Sequence, residues 1–255
     1  MIERLIKELW RDDGLNGEPQ IPEDEHGRER LLRSLMNLWQ PHEQPEEFWA
    51  MQDAVLQAQL ARKGVVHVRD LPAAPHDPQL SLWQGDITRL DAGAIVNAAN
   101  SALLGCFVPC HGCIDNAIHS AAGLRLRLAC AELMERQGHE EKTGSAKITP
   151  GFNLPARYVL HTVGPIVNGP LTERHCRQLE SCYQSCLQLA EEQGLDSVAF
   201  CCISTGEFGF PQREAAQIAV RTVREFVKEH SGMRVIFNVF KDADLRLYQE
   251  ILGIC

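Results

Sequence analysis

The sequence predicts an α/β layered domain preceded by a helical segment, and three observations carry that expectation. After a proline-rich stretch at 71–78, short runs of β-branched and aromatic residues alternate with longer amphipathic patterns, as strands alternate with helices. Before that stretch, apolar stripes recur at helical spacing. The composition, 44% hydrophobic and 23% charged over 255 residues, is that of an ordinary soluble fold and excludes disordered, collagen-like and coiled-coil chains. Two units are expected: a helical extension at 1–70 packed on the core, and one domain at 79–255.

In chain order, Ile2, Leu5, Ile6, Leu9 and Trp10 form the first helical stripe. A turn region at 12–22, with Gly14, Gly17 and Pro19, separates it from Leu31, Leu32, Leu35, Met36 and Trp39 on a second helix. Pro41 and Pro45 bracket the next break, and a third helix from Glu46 to Lys63 buries Phe48, Met51, Val55 and Leu60 before Gly64. The residues 71–78 read as a linker. Strands are expected at Leu80–Trp83, Ala94–Asn97, Ala146–Ile148, Tyr158–Val163, Ser197–Ile203 and Arg234–Phe240. Helices are expected at Ile114–Gln137, Glu173–Gln193, Gln212–His230 and Asp242–Leu252. In such sheets ligands gather at the carboxyl ends of strands.

Charge narrows the partners. Lys plus Arg number 25 against 34 Asp plus Glu, a net charge of −9. Residues 1–50 hold 12 acids and 6 bases, so −6 of it lies there. With no basic run, neither nucleic acid nor an anionic membrane is an expected partner. The N-terminus, MIERLIKELWRDD, lacks the apolar core of an export signal. Ala92–Ile114 is free of charge over 23 residues, but its asparagines, Pro109, His111 and three glycines suit a buried segment around a polar site better than a membrane span. A cytoplasmic protein is expected, in a compartment where disulfides are rare. Of ten cysteines, Cys130, Cys182, Cys186, Cys201 and Cys202 read as core hydrophobes. Cys106, Cys110 and Cys113 do not.

Three segments follow strand ends. In Gln84-Gly85-Asp86-Ile87-Thr88, Asp86 reads either as a turn cap or as a ligand group. In Ile95-Val96-Asn97-Ala98-Ala99-Asn100-Ser101, buried amides must be satisfied, by a turn or by a ligand's hydroxyls. In Ile203–Pro211, a glycine-bearing turn leads into a helix and suits anions.

Together, GDIT, IVNAANS, KITPGFNLPARYVLHTVGP (Lys147–Pro165) and ISTGEFGFP, in this order and spacing, resemble the macrodomain family over roughly Leu80 to Leu252. The resemblance implies a three-layer α/β/α fold with a central mixed sheet that binds ADP-ribose. Asp86 would then accept from the adenine amino group, with Ile87 adding backbone contacts. Asn100 would hold the distal ribose. Ser204, Thr205, Gly206, Glu207, Phe208, Gly209 and Phe210 would wrap the diphosphate, and Phe240 would pack against the adenine. The closer likeness is to MacroD-type hydrolases, whose glycine-rich loop runs into a helix carrying an aspartate, here Asp115.

The loop departs from that pattern. Gly105-Cys106-Phe107-Val108-Pro109-Cys110-His111-Gly112-Cys113 places thiols and an imidazole within eight residues, a soft-ligand cluster suited to tetrahedral Zn²⁺. Packing accidents and a redox role are the alternatives to a metal. The departure itself resembles the zinc-dependent macrodomain branch, which also carries an N-terminal helical extension. That resemblance implies one zinc per chain beside the distal ribose. The ligands expected are Cys106, His111 and Cys113, with Cys110 in reserve. Asp115 and Asn100 are the expected catalytic residues, and the N-terminus of the helix is expected to keep Asp115 ionised. His119 and His161 read as packed or structural, and Glu207 as able to reach the distal ribose or the modified side chain.

The expected activity is zinc-dependent removal of mono-ADP-ribose from protein side chains, by a monomer. Family likeness implies a link to sirtuin-type transferases and modified lipoyl-carrier proteins. The rivals are a non-catalytic ADP-ribose-binding module with structural zinc, and an O-acetyl-ADP-ribose deacetylase.

Overall fold

In the computed structural model, which describes residues 1–12, 14–230 and 232–254, the alternating patterns form a mixed sheet flanked by helices. Its strands are β1 (Ala73–Ala74), β2 (Asp77–Gln84), β3 (Ala94–Ala99), β4 (Ala146–Pro150), β5 (Tyr158–Val163), β6 (Ser197–Phe200) and β7 (Arg234–Val239), in the order β1-β2-β7-β6-β3-β5-β4. The five inner strands are parallel, and antiparallel β1 and β4 close the edges. Ile95, Val96, Val159, Leu160, Val198, Ala199, Val235 and Ile236 are fully buried, the continuous apolar content that strands covered on both faces require.

Helices α4 (Ile114–Ala122) and α5 (Leu124–Gln137) lie against β3 and β4. Helices α6 (Glu173–Glu192), α7 (Gln212–Glu229) and α8 (Asp242–Leu252) pack side by side along β5, β7 and β2. This is the three-layer arrangement expected. Among the described residues no helix is long and apolar enough to cross a membrane.

Three local expectations are corrected. The helix expected over Ile114–Gln137 breaks at Gly123, whose φ of +93° suits a residue without a Cβ. A Cβ there would also meet the Gln52 amide at 2.8 Å. The strand expected to reach Ile203 stops at Phe200, because the Cys202 carbonyl accepts turn bonds from the Thr205 N–H and Oγ1. The stretch read as a linker at 71–78 holds β1 and the start of β2, and Arg234 donates to the Arg69 and Leu71 carbonyls.

The N-terminal helices are α1 (Ile2–Asp12), α2 (Glu25–Leu38) and α3 (Glu46–Lys63). Asp24 caps α2 by accepting from the Gly27 N–H at 2.8 Å. Leu5, Ile6, Leu9, Leu32, Leu35, Met36, Trp39, Phe48 and Trp49 form a core of their own, into which Leu124 of α5 is inserted. Gln52 of α3 accepts from the Leu124 N–H at 2.9 Å, capping α5 across the junction.

Candidate active site

From β3 the chain leaves toward β5 on one side, and from β6 it leaves through α7 toward β7 on the other. The connections diverge between two adjacent parallel strands, which opens a crevice at their carboxyl ends. The residues singled out from the sequence fall along that edge. Asp86 follows β2, Phe240 follows β7, Ser204–Phe210 follow β6 and Asn100 follows β3. Sheet order lines them up in that sequence across three strand spacings, roughly 14 Å.

At the β2 end, Asp86 serves as a cap. Its Oδ1 accepts from the Thr88 N–H at 3.1 Å and from Oγ1 at 2.6 Å, while Oδ2 faces Lys63 of α3 at 3.4 Å. Ile87 is buried, whereas Phe240 is 76% exposed, an uncovered ring at the rim. Beyond Phe240 in sheet order, the β6 loop is held by backbone bonds: Phe210 N–H donates to Ser204 O, Gly209 N–H to Gly206 O, and Val167 N–H to Phe208 O. Ser204 is buried with a left-handed φ of +65°, and its Oγ has no hydrogen-bond partner among the described residues. Phe210 anchors the loop in the core, Thr205 and Phe208 are half-buried, and Gly206, Glu207 and Gly209 are exposed. The loop runs into the N-terminus of α7, which has no side-chain cap.

At the β3 end the material changes to buried side chains. Asn97 Nδ2 donates to Asp115 Oδ1 at 2.7 Å, and His161 Nδ1 lies 3.2 Å from the same nitrogen. Because the amide nitrogen only donates, His161 Nδ1 accepts and its Nε2–H faces Thr149 Oγ1 at 2.9 Å. Asn100 Nδ2 donates to Gly105 O at 3.1 Å and reaches Asp115 Oδ2 at 3.5 Å. Asp115 is 5% exposed. Its position in the first turn of α4 does not keep it strongly acidic: burial pushes its carboxyl up to about 6, against the lowering effects of the Asn97 amide and the Arg127 guanidinium. His119 stays neutral, held well below its ordinary value by burial first and then by His161 and Arg127; burial likewise brings His161 down to about 4.

The cysteine loop lies beside this group. Cys106, His111 and Cys113 bring their ligand atoms within 4.8 Å of one another. Cys113 also caps α4, its Sγ accepting from the Asn116 N–H. Cys106 Sγ lies 3.6 Å from His111 Nδ1. Tetrahedral Zn–S and Zn–N bonds subtend an edge of about 3.6 Å, so the donor set and its spacing fit zinc. Burial, with the neighbouring Cys106 and Asp115, pushes the Cys113 thiol up to about 12, a balance that a bound divalent cation reverses. Cys110 is turned away, with φ +54° and its Sγ donating to Arg30 O at 3.3 Å. On the opposite side of the imidazole, His111 Nε2 lies 3.7 Å from Glu207 Oε1, so the two loops meet across the crevice. Gly105, at φ +80°, presses the start of the loop onto the His119 ring, where a Cβ would meet it at 2.8 Å.

Residues 96–219 match the family described as Macro domain. A protein-ADP-ribose hydrolase of Treponema medium is 50% identical over 256 residues, covering 99% of this chain and 97% of that protein. The chain belongs to the macro domain family. Among solved structures, the Oceanobacillus iheyensis macrodomain with ADP is 42% identical over 68% of this chain and 90% of its own, with a TM-score of 0.63. The Trypanosoma brucei macrodomain in complex with ADP-ribose is 33% identical over 86% of this chain and 95% of its own, with a TM-score of 0.68.

This macro domain also uses residues that sequence reasoning passed over. Arg33 and Asn37 of α2 reach the cysteine loop, and Lys63 of α3 reaches Asp86. Arg127, 2% exposed, donates to the Met36, Asn37 and Trp39 carbonyls at the end of α2 and lies 4.3 Å from the Phe107 ring centre. An arginine among Leu124, Leu126 and Leu128 was the available signal for it; the others sit on ordinary polar helix faces. A second group of potential metal ligands, His119, Cys130 and His161, lies wholly buried behind Asp115. Arg127 acts electrostatically on both His119 and Cys130, which disfavours a cation there.

Proposed function

We propose that this macro domain is a zinc-dependent hydrolase that releases ADP-ribose from modified protein side chains. The observation that carries the reading is the meeting of Asp115, Asn100 and the Cys106–His111–Cys113 group at one end of a single crevice. The name of the Treponema relative supports the reaction class, and the ADP-ribose complex of the Trypanosoma domain supports the ligand. In this reading Asp86 accepts from the adenine amino group beside Ile87, Phe240 covers the base, and the Ser204–Phe210 loop wraps the diphosphate through the amides it does not spend on its own turns, those of Gly206, Glu207 and Phe208. Asn100 orients the distal ribose. Asp115 takes the proton of the attacking water. Water adds at the anomeric carbon as its bond to the protein side chain breaks, and the leaving side chain recovers a proton. Cys106, His111 and Cys113 would hold one zinc ion, which supplies a Lewis acid and an open coordination position there. A lipoyl-carrier protein modified by a sirtuin-type transferase is the substrate to assay first.

The test is release of ADP-ribose from a modified protein with and without chelator, following circular dichroism and ADP-ribose affinity in the same samples. Asp115→Ala should lose roughly 10²–10⁴-fold in turnover while still binding ADP-ribose. Full turnover by folded, zinc-free protein overturns the metal part. Tight ADP-ribose binding without turnover makes the protein a reader, and faster turnover of O-acetyl-ADP-ribose than of modified protein makes it a small-molecule enzyme.

A further inference from the structure

The cysteine loop has little structure of its own. Within 105–113 the backbone makes one internal bond, from the His111 N–H to Val108 O at 3.1 Å. Several of its other backbone groups are held from outside. Arg33 Nη2 donates to His111 O at 2.9 Å, and Asn37 Oδ1 accepts from the Cys110 N–H at 2.8 Å. Arg33 also donates twice to Asn116 Oδ1, through Nε at 2.9 Å and Nη2 at 2.6 Å. That fixes the amide so that Asn116 Nδ2 donates to Val108 O at 3.0 Å. Asn37 Nδ2 donates to Ser120 Oγ at 3.1 Å, tying the same side chain to α4. Both gripping residues lie one turn apart on α2, in the segment before the sheet, about 80 residues away in sequence from what they hold.

We infer that α2 is the brace that sets the cysteine loop for metal, with Arg33 and Asn37 as its positioning residues; this rests on the zinc reading above. The contacts fall on the two residues that decide which side chains face the cluster. Cys110 adopts a left-handed conformation that is unfavourable for a non-glycine residue, and the bond to Asn37 holds it there with its sulfur turned toward Arg30 O. Arg33 holds the next carbonyl, that of His111, whose ring then faces Cys106. Arg127 secures the brace by gripping the end of α2 through three carbonyls. The N-terminal helices are therefore part of the site.

The experiment measures zinc release to a chromophoric chelator and, on metal-free protein, hydrogen exchange at the Cys110 amide. The variants are Arg33→Ala and Asn37→Ala. The control is Arg125→Ala, which removes ion pairs to Asp53 and Glu46 of α3, and so also loosens the segment, but touches nothing in the loop. Both test variants should release zinc roughly 10–100-fold more readily, the usual effect of losing an outer support of a metal ligand. Asn37→Ala should also lose protection at the Cys110 amide, while Arg125→Ala matches wild type in both readings. Unchanged ADP-ribose affinity reports an intact fold. Because Asn37 is buried and its loss can unfold the segment, half-buried Arg33 carries the zinc-release test alone. Wild-type release and exchange in the two variants, or equal loss in Arg125→Ala, overturns the inference. A wild-type protein that takes up no zinc overturns the metal reading and the metal half of this inference; the bracing half is then decided by exchange in the same samples.

Discussion

On the β2 and β7 side of the crevice the floor is backbone turns and one exposed ring, Phe240. On the β3 side it is Asn97, Asp115, His119 and His161, each buried to 5% or less. The two sides cost the fold differently. Backbone amides and an exposed aromatic ring need little support, and they suit binding an extended anionic ligand. Buried polar side chains need every partner satisfied, and here they come with carboxyl and imidazole groups displaced toward each other, to about 6 for Asp115 and about 4 for His161. Such displaced groups cluster where chemistry is done. The N-terminal helices follow the same division. Among the described residues they offer Lys63 to Asp86, but Arg33, Asn37 and the Arg127-gripped end of α2 to the cysteine loop.

The comparison breaks most sharply at the proposed metal ligands. Cys106→Ala, His111→Ala and Cys113→Ala should each empty the zinc site, whereas Cys110→Ala should stay mostly filled; elemental analysis of the four purified variants decides it. Stoichiometric zinc in all four would return the loop to ordinary packing.

Next in size is the pH dependence of the buried imidazole. The unfolded chain protonates His161 near 6.5, while the folded protein holds it neutral down to about 4. The stabilisation is therefore complete above pH 6.5 and is lost as pH falls toward 4. Asp115, raised to about 6, works in the opposite sense by taking its proton first in the folded state. His161→Gln separates the two. Its stability deficit relative to wild type should be about 2 kcal/mol smaller at pH 5 than at pH 7, as read by denaturant unfolding at both values. An equal deficit at the two values would show that His161 does not titrate in this way.

On the binding side the effects should be smaller and confined to affinity. Asp86→Ala removes the proposed charge-assisted hydrogen bond to the adenine and should weaken ADP-ribose binding by roughly 1.5–3 kcal/mol, measured by calorimetry, with zinc content unchanged. Wild-type affinity would remove Asp86 from the adenine contact. Phe240→Ala should be the mildest, at about 1 kcal/mol of affinity. Its melting temperature should match wild type because the ring buries little of itself in the fold. A Phe240→Ala variant that melts early would mean the ring supports the sheet end.

How much of this was legible in the sequence differs between the same two sides. The strand-end motifs around Asp86, Asn100 and Ser204–Phe210 stand next to apolar runs that announce their strands, so their common edge follows from alternation alone. The breaks at Gly123 and Phe200 were not legible, because a glycine inside a periodic pattern and an apolar run past a strand end look like continuation. The acidity of Asp115 was legible only in part: at about 6 its carboxyl is still mostly ionised at neutral pH, but well above the ordinary carboxylate value. Its place at the start of a helix is visible in sequence, but the burial that outweighs the helix end is not.

The sequence by itself determined the layers, the edge where ligands gather and the residues offered there, because period and order along the chain are local properties. Only the tertiary structure decided that His111 lies between Cys106 and Glu207, that Cys110 faces away, and that Arg33 and Asn37 hold the loop that arranges them. Those contacts join groups from separate elements, some of them about 80 residues apart. No pattern in the chain records which polar face of α2 will lie against which loop until the two apolar cores have packed.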